Sequence, residues 1–476
     1  EHDYNLIGQE ELGSYGGSVR GDVPIRDIHL TTITGAESYD RRRVTDFDFS
    51  PNTALHTDAK DRAWQLTQSL EFDSELTGTP LKWTTGGYFL MERLDSEMLF
   101  TLDFSDRAVT TDVFQDYAQG QYSFGIYGNT KWEFHEAFTL SGGIRFNYDK
   151  KNIEMSVTRG AGFTETGPAF ASQAWTAPTG EISLTYRATD SLSIYSKYSR
   201  GWKPGVFNAT ILTNTSQGEK TLAPNIEETD PESVDSLEAG ASGSWLDNTL
   251  ELRAAFFYYK YNDYQVFLLK NRFGSPPQFE IVNANEAQIY GVEADLYSQP
   301  LYGRGPEVLD GLSLEARFSW LESEFLDFID RRTVIIGNQA VSRVFDFSGN
   351  RLPNTPRFKL SGSVWWAFGL GRYGTLTPRY DLTFSADVFF DPTEGVGTPQ
   401  SGEFPAFAIG QRSHVLHNLR VAYQLPGGNI EIATWVRNLT DFHYKTYVAD
   451  ASPSVGGLLN WIGDPRTWGV SVRVDF

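Results

Sequence analysis

The sequence predicts an all-β protein, a transmembrane antiparallel β-barrel with about sixteen strands in this chain. Apolar and polar side chains alternate with a period of two over segments of a dozen residues or so. No segment approaches the ~20 consecutive apolar residues that a membrane-spanning helix requires. The connections between the alternating segments are short and long in turn, which is typical of outer-membrane barrels.

The composition of the 476 residues fits a barrel wall better than a globular core. A soluble chain of this length usually divides into domains, yet no linker separates this sequence. Aromatic residues make up 14% of the chain although the mean hydropathy is −0.36, because alternation hides lipid-facing side chains among polar ones. The net charge of −21 argues against nucleic acid as a partner, and the absence of cysteine excludes disulfides and thiolate metal sites.

Two consecutive strands show the alternation most clearly. In segment 122–134 the even positions, from Tyr122 to Phe134, are mostly apolar, and the odd positions are mostly polar. After a break at 135–136, segment 138–148 repeats the pattern, with Phe138 and Tyr148 on its apolar face. Strands of this length exceed the usual five or six residues and match the roughly ten residues that a tilted membrane crossing needs.

The same rhythm recurs in segments 83–91, 250–258 and 430–437. Charged side chains, and not only serine and threonine, occupy the polar face of these strands. We expect them to hydrate the lumen or to pair with a domain inside it. They are Lys131, Glu133, Arg145, Glu251, Arg253, Glu431 and Arg437.

The connections predict which end of the barrel carries the long loops. Tight turns are expected near 76–80, 135–137, 188–190, 246–248, 369–373 and 425–429. Longer loops are expected near 97–117, 153–173, 202–232, 268–278, 326–355, 391–412 and 448–464. Short turns on one side and long loops on the other indicate a membrane barrel, because a soluble all-β fold has no reason to sort its loops in this way.

The chain ends on an apolar, alternating strand. Trp468, Val470, Val472, Val474 and Phe476 share one face. Outer-membrane barrels commonly end on such a strand with a terminal aromatic residue, which the assembly machinery recognises. We therefore predict that these five residues form a barrel-assembly signal, although any edge strand can also end in phenylalanine.

Several segments resemble motifs of the TonB-dependent receptor family. The most specific are 231–240, which begins Pro-Glu-Ser-Val-Asp-Ser-Leu-Glu, and 283–295, which reads Asn-Ala-Asn-Glu-Ala-Gln-Ile-Tyr-Gly-Val-Glu-Ala-Asp. The resemblance covers nearly the whole chain from about residue 26, and the order of the motifs matches as well as their content. The other matching segments are 30–35, 65–71, 83–92, 198–208, 246–250, 256–259, 264–265, 353–357 and 436–444.

The resemblance also implies parts that this sequence does not display. A complete receptor of the family has an N-terminal plug domain inside a barrel of about 22 strands. Residues 1–25 suggest only a partial extracellular loop or strand remnant, and residues 26–476 the barrel strands with their long extracellular loops. We therefore expect that the plug and about six strands are cleaved, unresolved or encoded as a separate chain. A self-sufficient barrel of about sixteen strands without a plug is the alternative.

The function implied by the resemblance is active uptake of a scarce nutrient across the outer membrane of a Gram-negative cell, with an iron–siderophore favoured. No cofactor is implied. The expected partners are outer-membrane lipid and lipopolysaccharide, the TonB energy-coupling complex acting through a plug outside this chain, the N-terminal plug and barrel segment, and a lipoprotein or other outer-membrane protein.

Candidate ligand-binding residues lie where a strand meets the loop 202–232. Arg200, Trp202 and Lys203 place an aromatic ring beside two cations, which suits an anionic chelate or a sugar. The alternative is that they anchor the rim of the barrel or join two loops.

No metal site is predicted. The same loop carries Glu227, Glu228, Asp230 and Glu232, whose spacing matches no calcium loop and suggests a solvated acidic loop. Two histidines, at 414 and 417, are three residues apart, so on one strand they point to opposite faces and are not expected to share a metal.

Three other functions compete with transport. An enzyme is not expected, because the sequence contains no G-x-S-x-G elbow and no zinc-binding helix motif. A passive porin requires a loop folded into the pore, and swelling of liposomes in small sugars would reveal it. A structural or scaffold subunit of the outer membrane would co-purify with a stoichiometric partner over the long loops.

Overall fold

The computed structural model describes residues 5–48, 50–51, 53, 55–74, 78–104, 109–159, 164–165, 167–214, 221–270, 277–336, 339–397, 404–452 and 457–475, and these residues are mostly in β-strands. Two short 3-10 helices lie at Glu307–Leu309 and Gly371–Tyr373. In the described part of the chain no helix has both the length and the apolar character needed to cross a membrane.

Twenty-seven strands are present in the described residues. In chain order they are β1 Gln9–Ile25, β2 Ile28–Asp46, β3 Leu55–Ser74, β4 Leu81–Phe104, β5 Val109–His135, β6 Phe138–Arg159, β7 Thr164–Glu165, β8 Ala169–Thr189, β9 Leu192–Lys203, β10 Phe207–Asn214, β11 Thr221–Glu228, β12 Glu232–Trp245, β13 Leu250–Lys270, β14 Gln278–Ser298, β15 Leu312–Asp327, β16 Ile329–Ile336, β17 Gln339–Asp346, β18 Phe358–Trp366, β19 Phe368–Gly369, β20 Thr375–Ser385, β21 Val388–Phe389, β22 Gly410–Gln411, β23 His414–Gln424, β24 Ile430–Arg437, β25 Lys445–Asp450, β26 Leu458–Ile462 and β27 Thr467–Val474.

Eighteen of these strands form one antiparallel sheet. Each long strand pairs with the next long strand of the chain, from β1 to β27. β18 and β19 pair with the same neighbour, β20, and are two parts of one interrupted segment. The sheet therefore has seventeen successive segments, within one of the number predicted from the sequence.

The expectation of a closed barrel is not met by the pairing. Among the described residues β1 pairs only with β2, and β27 pairs only with β24, so the sheet has two open edges. The sequence pattern predicts strands and their faces, but the period of two contains no information about whether the first and last strands meet. Residues 9–25, which the sequence suggested were a loop or strand remnant, form the edge strand β1 over 17 residues.

The two faces of the sheet differ as the alternation predicts. We call the face with Phe124, Ile126 and Ile144 the outer face; Ile126 is 52% exposed and Ile144 is 67% exposed. The opposite, inner face carries charged residues in ion pairs, such as Lys131 with Glu133 at 3.1 Å. Near the short turns, exposed apolar rows on one face and charged residues on the other are the arrangement expected of a wall between lipid and a polar lumen.

Most of the connections sort by length as predicted, although the connection 299–311 on the short-turn side has 13 residues. Short turns at 26–27, 136–137, 190–191, 246–249 and 425–429 share one side of the sheet, and the connections 204–231, 328–357, 386–413 and 438–466 share the other. The predicted loops 97–117 and 153–173 are largely wrong, because β4, β5, β6 and β8 extend through most of them. Residues 105–108 and most of 160–166 lie outside the described residues.

The prediction of loops failed here because the strands continue, while the apolar and polar residues exchange faces. Past Tyr148 in β6 the outer face becomes polar, with Lys150 and Asn152 exposed. The inner face becomes apolar, with Ile153 and Met155 buried. A strand that leaves the lipid no longer needs an apolar outer face, and its inner face instead packs against loops.

Those loops carry four small sheets, β7–β11–β10, β16–β17, β21–β22 and β25–β26. The hairpin β10–β11 folds inward onto the inner face of the wall. There Ile211 of β10 is fully buried in one apolar cluster with side chains of β3 to β6. These partners are Leu55, Phe100, Val113, Met155 and Val157.

The last strand, β27, presents the predicted apolar row. Trp468, Val470, Val472 and Val474 are all strongly exposed on one face. Phe476, the fifth residue of the predicted assembly signal, lies outside the described residues.

Candidate functional site

A local interruption redirects the tip of the hairpin β13–β14. The ladder skips Asp263, which has a φ of 53°, and Asn285 opposite it, while the register on both sides is unchanged. One residue of each strand is therefore left unpaired. Beyond it, residues with even numbers face the side that residues with odd numbers face before it, and the reverse. As a result Tyr261 and Tyr264, three residues apart, pack on the same apolar cluster.

Side chains from two of the family-like segments hold this interruption in place. Asn283 donates from Nδ2 to the carbonyl oxygens of Asp263, at 2.7 Å, and Asp230, at 3.0 Å. Its Oδ1 accepts from the backbone nitrogen of Asp230 at 2.9 Å. Glu232 accepts a hydrogen bond of 2.7 Å from the backbone nitrogen of Gln265. These bonds fix the tip of β13–β14 against the start of β12.

Amide side chains join the inward hairpin β10–β11 to the wall and to β14. Gln115 of β5 donates to the carbonyl of Ala209 at 3.1 Å. Gln278 of β14 accepts from the backbone nitrogen of Ile211 at 2.9 Å. Asn208 both donates to and accepts from the backbone of Ile281, at 2.8 and 2.9 Å. The hairpin is thus bonded on both sides.

A cavity of about 590 Å³ lies between the inner face of β2 to β6 and these hairpins. Its volume is in the range typical of small-molecule sites. Aromatic and aliphatic side chains make up most of its lining, and among the described lining residues Arg43 is the one charged side chain. The aromatic residues are Phe47, Phe100, Tyr117, Phe207, Phe267, Phe279 and Trp461, and the amides are Gln115, Gln119, Asn208 and Gln278. Such a lining can stack on planar groups, hydrogen-bond to carbonyls and hold one anionic group.

The remaining loops are linked to one another around this cavity. Lys270 and Asp330, both largely buried, join β13 to β16 at 2.7 Å. Arg351 pairs with Asp387 at 3.0 Å across two loops. Lys445 donates from Nζ to two carbonyl oxygens of the 405–409 turn at 2.9 Å, and its burial lowers its pKa. These contacts tie the loops to one another and to the end of β13.

The three ligand residues predicted from the sequence are not brought together. Arg200 and Trp202 lie on the outer face, and Arg200 is 3.5 Å from Asp235, which also accepts a hydrogen bond from Tyr198. Lys203 lies on the inner face. None of the three is among the described residues that line the cavity.

The sequence reasoning missed the cavity residues because it looked for ligand groups in loops. Arg43 and Gln115 lie within strands, on the inner face above the point where the alternation inverts. The change of the inner face from polar to apolar could have indicated these residues. Apolar residues on the inner face of a barrel strand must pack against another part of the protein inside the barrel.

The histidines 414 and 417 are kept apart, as their spacing predicted. His414 stacks on Tyr444 with the ring centroids 5.2 Å apart, and His417 is 2.7 Å from the hydroxyl of Tyr380. A different group comes together at the ends of β2 and β3. One potential ligand atom from each of Asp46, Asp48 and His56 lies within 4.8 Å of the other two. Spacing alone gave no sign of this group, because it forms across two strands.

Comparison with known proteins agrees with this fold. The sequence model of the family described as "TonB dependent receptor-like, beta-barrel" matches residues 13–439. The pesticin receptor of Yersinia pestis is 24% identical over 356 residues, which are 74% of this chain and 44% of that protein. The probable TonB-dependent siderophore receptor PiuA of Acinetobacter baumannii is 23% identical over 56% of this chain and 30% of its own length. This chain thus spans less than half the length of these relatives.

Two solved structures show the same fold at low identity. The ferric yersiniabactin uptake receptor FyuA from Yersinia pestis superposes with a TM-score of 0.75 and 20% identity, covering 98% of this chain and 62% of that one. The siderophore receptor PiuA from Acinetobacter baumannii gives 0.69 and 17%, covering 97% and 64%. These relatives are receptors and transporters, not enzymes, and β-barrels of their family are outer-membrane proteins. Because the family model matches most of its length, this chain belongs to the TonB-dependent receptor β-barrel family.

Proposed function

We propose that this chain supplies most of the wall of an outer-membrane transporter that actively imports an iron–siderophore chelate. The observation that carries the proposal is the aromatic cavity, held between the wall and the inward hairpin β10–β11. The names of two relatives, a ferric yersiniabactin uptake receptor and a probable siderophore receptor, support the choice of substrate. Energy would come from TonB, acting through a plug outside this chain, within a barrel completed to about 22 strands.

The cavity lining suits such a chelate in three ways. Phe267 and Phe279 stack face to face with their ring centroids 4.7 Å apart, and both contribute apolar surface to the cavity. The amides around them can bond to ligand carbonyl or hydroxyl groups. Arg43 would pair with an anionic group of the chelate, where a partly enclosed site strengthens the attraction.

The ligand and assembly residues predicted from the sequence have different roles in this proposal. Lys203 faces inward and would add positive charge along the ligand's path below the cavity. Arg200 and Trp202, on the outer face, would instead anchor the rim where the wall meets lipid headgroups and lipopolysaccharide. The alternating row from Trp468 to Val474 would serve as the assembly signal.

Two neighbouring arginines provide a matched test. Arg43 lines the cavity, whereas Arg42 faces outward and pairs with Asp58 at 2.8 Å. In a deletion strain grown under iron limitation, complemented with each variant, we expect Arg43→Ala to reduce uptake of radiolabelled ferric siderophore by about tenfold, the loss expected for a charged hydrogen bond. Arg42→Ala should match the wild type. Uptake that is independent of this chain, or equally reduced by both variants, would contradict the proposal.

The inward hairpin is also the feature that a passive porin would need. Here, however, Ile211 packs on apolar wall residues, so the hairpin fills the mouth instead of lining a polar channel. Liposomes containing the protein should therefore not swell in small sugars. Rapid swelling would favour the porin, and a stoichiometric partner retained without any uptake would favour a structural subunit.

A further inference from the structure

The ends of β2 and β3 place a mixed set of metal-ligating side chains together, away from the cavity lining. Asp46 and His56 are directly opposite each other as the last pair of the β2–β3 ladder. Asp48, two residues further along, brings its carboxylate to the same point, and one ligand atom from each residue lies within 4.8 Å of the others. Two carboxylates and one imidazole are a common ligand set for a divalent transition metal.

A neighbouring side chain fixes which imidazole nitrogen can bind a cation. Asn5 donates from Nδ2 to the hydroxyl of Thr53 at 2.9 Å. Its Oδ1, which can only accept, is 2.8 Å from Nε2 of His56. In this arrangement Nε2 donates to Asn5, and Nδ1 keeps the lone pair with which the ring can bind a cation. Metal-ligating histidines are typically oriented by such a bond from the second nitrogen.

The charges at this point favour a cation. Asp46 is only 4% exposed, and Asp48 and His56 are half-buried. Two carboxylates close together in a partly dehydrated place repel each other, and a positive charge between them lowers that cost. Asp48 also accepts from the backbone nitrogens of Ser50 and Leu55, which holds its carboxylate in position.

We propose that Asp46, Asp48 and His56 bind one divalent transition-metal cation, with Zn²⁺ as the probe. The cation would tie Asp48, just beyond β2, to the ends of both strands. It would thereby steady Phe47, which lies between two of the ligands and lines the cavity. The site does not depend on the proposed transport function, because its ligands are separate from the residues assigned to the chelate.

The test measures metal binding by the full chain in detergent after treatment with a chelator. Titration calorimetry with zinc chloride near neutral pH should show one site per chain. We expect His56→Gln and Asp48→Asn to weaken binding at least tenfold, and Asn5→Ala to weaken it by about ten- to a hundredfold. His414→Gln is the matched control, because His414 also lies on the loop side and stacks with aromatic rings instead of carboxylates; it should bind as the wild type does.

A second measurement does not depend on any variant. Replacing Zn²⁺ with Co²⁺ should give the visible absorption bands of a nitrogen- and oxygen-ligated ion in the wild type, and His56→Gln should lose them. Wild-type protein that shows no saturable binding and no cobalt spectrum would overturn the proposal. Equal binding by the wild type and His56→Gln would overturn it as well.

Discussion

At the scale of single residues, side chains in several of the segments that resemble the family make hydrogen bonds that fix the points where the chain leaves a strand. Asn283 fastens the interruption in β13. Asn438 donates to the carbonyls of Phe442, at 3.0 Å, and Asp464, at 3.1 Å, and so closes the base of the loop before β25. Thr355 donates to the carbonyl of Leu352 at 2.5 Å. Motifs of this kind can reveal a fold from sequence, but they say little about what the loops bind.

Ile211 tests whether the inward hairpin is a fixed part of the wall. Its side chain is fully buried, so Ile211→Ala should lower the free energy of opening the hairpin β10–β11 by about 2–5 kcal/mol. Hydrogen exchange of the hairpin amides measures this. Ile329→Ala is the matched control, since Ile329 also lies in a loop hairpin but is 60% exposed, and its effect should stay within about 0.5 kcal/mol. Equal exchange in both variants would mean that the hairpin does not pack on the wall.

Tyr447, in the loop strand β25, should make the loops sensitive to alkali. Burial, together with the charge of Asp391, raises its pKa to about 12. Because the unfolded phenol loses its proton near pH 10, stability should fall with rising pH above about 10, by up to about 1.4 kcal/mol per pH unit. Thermal unfolding followed by near-ultraviolet circular dichroism should show this fall in the wild type and a smaller one in Tyr447→Phe. Parallel pH profiles for the two proteins would show that Tyr447 is not buried.

At the scale of elements, the sequence predicts the strands inside the membrane better than their extensions. Segments such as 122–134 alternate clearly because lipid selects one face and water the other. Beyond Tyr148 the outer face no longer contacts lipid and the inner face no longer contacts water. The polar outer residues Lys150 and Asn152 therefore resemble the start of a loop. The apolar inner residues there pack against a hairpin more than fifty residues away in the chain. The local pattern could therefore not show what they contact.

Substitutions of Asp263 test the role of the interruption in the β13–β14 ladder, beyond which Phe267 and Phe279 line the cavity. The φ of 53° at Asp263 lies in the left-handed region, where β-branched residues are strongly disfavoured. Asp263→Val should therefore destabilise the tip by about 1–2 kcal/mol, whereas Asp263→Gly should be nearly neutral. Amide exchange over residues 264–270 and 277–284 measures the effect. Tips of equal stability in both variants would show that the backbone is not left-handed at this position.

At the scale of the whole molecule, the sequence predicts the architecture but not the cavity that we propose as the binding site. Alternation, turn lengths and family-like segments indicated an all-β protein of the TonB-dependent receptor family, and the family match confirms this family. Arg200 and Lys203 looked like ligand residues because they border a long loop, yet the cavity is lined by Arg43, from a strand distant in the chain. A cavity is built by side chains that converge in three dimensions, and a one-dimensional pattern does not contain that convergence.

The central claim is that the outer face of this wall contacts lipid while its inner face surrounds the ligand path. Because the chain has no cysteine, single cysteines for spin labels can be introduced without background. Labels at Phe124 and Ile126 should be accessible to oxygen dissolved in the bilayer and protected from a water-soluble nickel reagent. Labels at Ser123 and Tyr127, on the inner face, should show low oxygen accessibility. Accessibility that fails to alternate along β5, or alternates with the opposite phase, would contradict this account.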